Sequence, residues 1–358
     1  MLADELIQCF KDPQQFVSKA HAADWSHLLQ QGRQYGTTAQ LYALFNRQQL
    51  LDSLPDKVLQ HLEWGWRYYQ RQRDSLYFEL LQLETHFAQL NYPVLLLKGA
   101  AYQAVALTAS EGRLYADIDI LVPRAALDDC KARLFFAGFL EGPVSDYDKY
   151  YYLELTHENP PLYHISRGSS IDLHFNIYPV ASRKNIDINY FIEQAQPLSG
   201  SVFSVPSQLH LFVHAAVHFF WQEEHHKILK DLIDLDLLFA DIARKNLQSE
   251  LITQSRLLGA EQAVINVIQL LAEIFGREFT QSFTADIANS EQQRPFARLL
   301  VLSMLNNTAT AGLAKLCWLV RGYLHKFHMK ALLRHIGVKT ALCIRSWFTP
   351  AGGNSDTP

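Results

Sequence analysis

Two aspartates, Asp117 and Asp119, stand two residues apart in Asp117-Ile118-Asp119-Ile120-Leu121-Val122. On a β-strand such side chains share a face. Both carboxylates therefore point one way, while Ile118, Ile120 and Val122 supply an apolar face on the other side. Like charges at that spacing repel unless a cation lies between them, and a hard divalent ion such as Mg²⁺ takes oxygen ligands. Surface strands also produce such a pair by chance, so the surroundings decide its weight. The same alternation in Ile171-Asp172-Leu173-His174-Phe175 puts Asp172 and His174 on one face. If the two strands are neighbours, Asp172 completes a trio able to hold two metal ions about 4 Å apart, the arrangement for in-line displacement at phosphorus. A separation of Asp172 from both partners beyond about 10 Å would remove that role.

These residues need a particular scaffold. Val94-Leu95-Leu96-Leu97 reads as a short buried strand ending at Lys98-Gly99, and Ala100–Leu107 as a helical turn or two. A strand-to-helix junction with a lysine and a small residue suits phosphate groups. Arg113, four residues ahead of Asp117, adds a cation. Pro123 stops the Asp117–Val122 strand; a helix runs from Ala125 to about Phe136, with Gly138 as its stop. Tyr150–Thr156, Leu162–Ser166 and Ile171–Ile177 read as an antiparallel meander, separated by His157–Pro161 and Arg167–Ser170 as turns. Before residue 91 the chain reads as helical, with Leu76, Leu80, Leu83, Phe87 and Leu90 on one helix face. From Ser207 to about Trp347 it is helical again. The expected architecture is α+β: an N-terminal helical segment (1–90), a core with a small mixed or antiparallel sheet (91–200), a C-terminal helical domain (201–348) and a disordered tail (349–358).

Composition narrows the function classes. An apolar fraction of 49% and a charged fraction of 19% exclude wholesale disorder. A net charge of −4 advertises no global attraction to nucleic acid or membrane. Cys9, Cys130, Cys317 and Cys343 lie far apart and read as reduced thiols. The N-terminus carries acids where a secretory signal needs a basic flank, and no apolar run is long enough to span a bilayer. A cytoplasmic location is the expectation.

Other signals carry less. His210, His214 and His218 form one stripe of a helix, but a single straight helix cannot close a tetrahedral zinc site. His214 and His218 are expected beneath the carboxylates. Asp231 and Asp234 fall near each other on a helix while Asp236 swings away, and Asp234 is the one worth testing. Tyr147, Tyr150, Tyr151 and Tyr152 suit either a nucleobase or a strand face. No Walker, G-x-G-x-x-G, G-x-S-x-G or H-E-x-x-H motif is present.

The set Leu97-Lys98-Gly99-Ala100, Arg113-x-x-x-Asp117-x-Asp119-x-Leu121-Val122 and Ile171-Asp172-Leu173-His174 resembles the uncharacterised bacterial nucleotidyltransferase family of the DNA polymerase β-like superfamily. The likeness runs from the N-terminal helices to about residue 240 and includes His214–His218 and Leu229-x-x-Leu-Ile-Asp234. The resemblance implies transfer of a nucleoside monophosphate from an NTP to an acceptor, with pyrophosphate released. It implies Asp117, Asp119 and Asp172 as catalytic metal ligands for Mg²⁺ (two ions, with Mn²⁺ as a substitute). It implies Lys98, Gly99 and Arg113 as nucleotide contacts, and supporting roles for His174, His214, His218 and Asp234. Ala100 departs from the superfamily pattern by offering no hydroxyl. The acceptor is not legible. Two rivals stay open: a nucleotide-binding module without turnover, and a metal-dependent phosphohydrolase using the His-rich helix.

Charge is also unevenly spread. Residues 292–355 contain no Asp or Glu but include Arg298, Lys315, Arg321, Lys326, Lys330 and Arg334. These charges either solvate an outer face or dock something anionic: a nucleic acid, a phosphorylated acceptor or a membrane surface. Docking predicts retention on heparin or anionic vesicles that weakens with salt and when Lys326, Lys330 and Arg334 are together changed to glutamine. Identical low-salt retention of wild type and triple variant leaves only the solvated face.

Overall fold

The long helix Asp56–Phe87 follows from its spacing: Leu62, Tyr69, Leu76, Leu80, Leu83 and Phe87 are buried along one stripe, with Arg71 outside. The computed structural model that places it describes residues 4–326 apart from 183–187, 222–223, 280, 289–295 and 306–309, together with 334, 337, 338 and 340. Four shorter helices precede it, the first Asp4–Lys11 and the last Thr38–Arg47.

A mixed seven-stranded sheet comes next, in the order β3-β4-β5-β2-β1-β7-β6. Its strands are β1 Val94–Leu96, β2 Ile118–Leu121, β3 Phe139–Glu141, β4 Leu162–His164, β5 Ser170–His174, β6 Gln196–Pro197 and β7 Phe203–Val205. β2 is buried along its whole length between β1, antiparallel to it, and β5, parallel to it. Asp119 is the register partner of Asp172, which puts both on one face. β1 pairs in parallel with β7, so the sheet extends to Val205. Helices Gln208–Trp221, Ile228–Arg244 and Glu261–Phe275 pack together behind it, and one continuous apolar core joins them to the sheet and the N-terminal helices.

The antiparallel meander has three strands, β3, β4 and β5, but its first strand is Phe139–Glu141 and not the expected Tyr150–Thr156. Tyr150–Thr156 is not a strand: Asp146–Tyr150 is an α-helix, continued as a π-helix over Tyr151–Leu155. The local reason is a helix start. The Ser145 hydroxyl accepts from the Asp148 N–H, and Asp146 and Asp148 sit where the helix dipole favours acids. Gly138 follows the helix Leu127–Phe136 with φ of +92°, the left-handed stop expected there.

Among the basic C-terminal residues, Arg321 donates to the Phe220 carbonyl at 2.8 Å and packs on Trp318. Arg334 donates to the Tyr150 hydroxyl at 3.0 Å, and Arg298 pairs with Glu273. Lys330 lies outside the described residues, as does the 349–358 tail.

One ion pair, buried on its Glu79 side, clamps the long helix onto the turn before β5. Glu79 accepts from Arg167 Nε at 2.6 Å and Nη2 at 2.8 Å, and from the Ser169 hydroxyl at 2.9 Å. Arg167 and Ser169 form the turn that delivers β5. Burial pushes the Glu79 carboxyl up, but these bonds outweigh it and hold the group below its ordinary 4.5. Its stabilisation is therefore present above 4.5 and is lost as pH falls through the depressed folded value. Glu79→Gln should destabilise the protein at neutral pH by about 1–2 kcal/mol in urea unfolding, since the Arg167 left behind is exposed to solvent. The gap to wild type should shrink on the acid side; a gap independent of pH would refute the pair's role.

Candidate functional site

Asp119 sits mid-strand on β2, 3% exposed, yet charged neighbours hold it in place. Its Oδ1 lies 2.7 Å from Lys98 Nζ and 2.9 Å from His174 Nε2. Burial raises the carboxyl; Lys98 and His174 outweigh it, so Asp119 stays ionised well below the usual carboxylate range. Burial likewise pushes the Lys98 ammonium down, but Asp119 and Asp117 hold it above its ordinary value. Lys98 adopts φ of +44°, a conformation sparsely populated outside glycine, which directs this site's backbone out of β1.

The other two aspartates differ. One oxygen each from Asp117, Asp119 and Asp172 lies within 4.8 Å of the other two. Among the described residues, Asp117 and Asp172 accept no side-chain hydrogen bond or ion pair. Burial and the neighbouring Asp119 push Asp117 up, and burial with Asp119 and Asp117 pushes Asp172 to about 7. Half-buried carboxylates with no cation in direct contact are costly. Hard oxygen donors at this spacing fit Mg²⁺ or Mn²⁺, and a divalent ion would supply the missing charge.

The remaining expected contacts are brought near but face inward. Arg113 Nε donates to Asp234 Oδ2 at 2.7 Å, and Gln40 Nε2 to Asp234 Oδ1 at 2.8 Å. The guanidinium lies 5.6 Å from the Tyr102 ring centre and 5.9 Å from that of Tyr115. A Cβ at the buried Gly99 would fall 2.2 Å from Arg113 Nη1 and 2.7 Å from the Tyr115 ring. Glycine is thus required where the Lys98-Gly99-Ala100 segment crosses Arg113. His214 is buried, and burial with Lys98 nearby lowers it to about 3; His218 is lowered for the same reasons. His210 instead bonds Gln254 Oε1 at 3.0 Å and stacks on Phe191. Among the described residues no metal cluster forms on that helix. Asp236 pairs with Arg277 at 2.6 Å, away from the site.

A family model described as an uncharacterised nucleotidyltransferase matches residues 21–276, well over half of the chain. The chain belongs to this nucleotidyltransferase family. No curated protein and no solved structure matches it. Among the described residues, no helix of this nucleotidyltransferase is long and apolar enough to cross a membrane.

Sequence reasoning missed two groups that face the site, Glu158 and His157. Glu158 bridges to His174 across the sheet edge, its Oε2 3.5 Å from His174 Nδ1, and its charge helps raise Asp172. His157 stacks on the His174 ring, and Tyr152 feels Glu158 and Asp172. His157-Glu158 read as turn material because Pro160-Pro161 follows; two ionisable residues just ahead of that stop were the available signal. A polar cavity of about 190 Å³ beside Asp117 is lined by Gln72, Ser75, Glu79, Tyr115 and Arg167.

Charge relief is not shared equally by the trio. Without metal, Asp117→Asn and Asp172→Asn should hold or raise the melting temperature by removing a repelled charge. Asp119→Asn should lower it by the equivalent of about 1–3 kcal/mol, since Lys98 and His174 lose their partner. This departs from the sequence argument alone, by which removing either Asp117 or Asp119 relieves repulsion. Thermal unfolding in chelator checks it, and equal responses from all three variants would defeat the assignment.

Proposed function

We propose that this protein is a polymerase β-like nucleotidyltransferase that moves a nucleoside monophosphate from an NTP to an acceptor, releasing pyrophosphate. The observation that supports this best is the convergence of Asp117, Asp119 and Asp172, of which only Asp119 has direct Lys98 and His174 contacts. In this reading all three carboxylates hold divalent metal, two Mg²⁺ ions with Mn²⁺ as a substitute. When bound, the ions neutralise the triphosphate and the charge that develops on the leaving pyrophosphate.

The chain's own groups do the rest. The acceptor attacks the α-phosphorus, the bond to the bridging oxygen breaks, and pyrophosphate leaves with the electron pair. Asp172 takes the acceptor's proton, as a general base within reach of the cluster. Lys98 turns from Asp119 to the phosphates, and the Gly99 backbone N–H lies alongside them. Arg113 acts at one remove: bonded to Asp234, it fixes the segment carrying Lys98 and Gly99. His174 orients Asp119, while the neutral His214 and His218 line the floor. No covalent enzyme intermediate is needed, since alignment and charge neutralisation supply the acceleration. Dispersed cysteines and the absence of a spanning helix among the described residues support a cytoplasmic setting.

The test is incubation with each labelled NTP, Mg²⁺ and a fractionated acceptor pool, followed by mass spectrometry for added nucleotide and an assay for pyrophosphate. Asp117→Asn and Asp119→Asn should each lower transfer by at least about 100-fold. Calorimetry showing unchanged Mg²⁺-NTP affinity in both variants would sink the reading.

A further inference from the structure

Beside the three aspartates lies a second cluster with different chemistry. His157, Glu158 and His174 each offer a ligand atom within 4.8 Å of the others. The backbone holds them there: the Phe175 N–H donates to the His157 carbonyl at 3.0 Å, and the Asn159 N–H to the Leu173 carbonyl at 2.8 Å. His157 and Glu158 are thereby clamped against the end of β5, with Glu158 as the bridge partner of His174. The His174 side chain is 1% exposed, and its Nδ1 has no hydrogen-bond partner. That nitrogen faces Glu158 Oε2 at 3.5 Å. The distance is long for a hydrogen bond. It matches the edge of about 3.4 Å between two donors on one tetrahedral ion with bonds near 2.1 Å. The rings of His157 and His174 lie side by side, their centres 5.4 Å apart.

We propose that His157, Glu158 and His174 bind one first-row transition-metal ion of the zinc class. Two imidazoles and one carboxylate make a borderline donor set that prefers such an ion to Mg²⁺, and three protein ligands leave a fourth position for water or substrate. Coordination through His174 Nδ1 leaves the proton on Nε2, which then donates to Asp119 Oδ1 at 2.9 Å. This is the carboxylate–histidine–metal arrangement in which an outer carboxylate and a ligand orient each other. The ion would therefore fix the direction of Asp119 from behind. The inference does not rest on nucleotidyl transfer, because the two clusters share only the Asp119–His174 hydrogen bond.

The competing account is a charged His174 bridging Asp119 and Glu158 with no metal. The full-length protein, stripped with chelator, separates the two when titrated with Co²⁺ and read by its visible d–d absorption, with Zn²⁺ as competitor. We expect one Co²⁺ with a histidine-ligated spectrum, displaced by Zn²⁺. His157→Ala and Glu158→Gln should each weaken it by more than the roughly 10- to 100-fold that loss of an outer-shell partner costs. Asp172→Asn should leave that Co²⁺ in place while weakening Mg²⁺ binding. Circular dichroism of the metal-free variants confirms that each is folded. Co²⁺ bound equally by wild type and both cluster variants, lost only in Asp172→Asn, or bound without the histidine spectrum overturns the proposal. Transfer assays in Mg²⁺ with Zn²⁺ removed report separately on the proposed reaction.

Discussion

Everything in this molecule is arranged around a carboxylate that should not be where it is. Asp119 lies inside the sheet, on a strand whose every residue is buried. Transfer of an unpaired carboxylate to such a place costs several kcal/mol. Two hydrogen-bonding partners offset that cost, the Lys98 ammonium and the His174 imidazole, and each requires its own element. Lys98 must leave β1 in a left-handed backbone conformation to reach Asp119, and His174 must stand at the end of a strand parallel to β2. The parallel pairing of β2 and β5 is thus as much an electrostatic requirement as a packing one.

The flanking helices are tied to this arrangement by buried polar contacts as well as by apolar packing. Gln40, from the helix Thr38–Arg47, and Arg113 both donate to Asp234, from the helix Ile228–Arg244. Arg113 in turn occupies the space that a side chain at Gly99 would need. The N-terminal and C-terminal helices therefore converge on the segment that carries Lys98. Glu79 does the same from the other side through the turn before β5. The sheet places the aspartates on one face and pairs Asp119 with Asp172; these contacts anchor the segments on either side of them.

Much of this was legible where one strong local rule acted alone. Alternation placed Asp117, Asp119 and Asp172 correctly because side chains two apart on a strand cannot face different ways. The 3–4 spacing of Leu76, Leu80, Leu83 and Phe87 was equally plain. Tyr150–Thr156 failed because aromatic and apolar residues favour strands, whereas Ser145, Asp146 and Asp148 had already begun a helix. Arg113 illustrates a different limit. Its charge and its position ahead of the aspartates suited a phosphate, and only tertiary structure reveals that Asp234, 121 residues away, is its partner. Glu158 was missed for the same reason, since its bridge to His174 spans a turn that sequence alone cannot close.

The pairing of β1 with β7 has a consequence for how the chain is made. Val94 meets Phe203 in parallel register, so the edge of β1 stays open until the polypeptide has been synthesised beyond Val205. Before then the nascent chain holds the aspartates, the lysine and a strand with unsatisfied backbone groups, a template for pairing with other chains. Such long-range parallel closure is slow because a large loop must be ordered before any contact rewards it. The helix Gln208–Trp221, which begins three residues after β7 and buries eleven of its side chains, follows at once to seal the same region. Co-translational exposure would then be confined to the interval between emergence of β1 and of that helix, and it is there that a holding chaperone would find this protein.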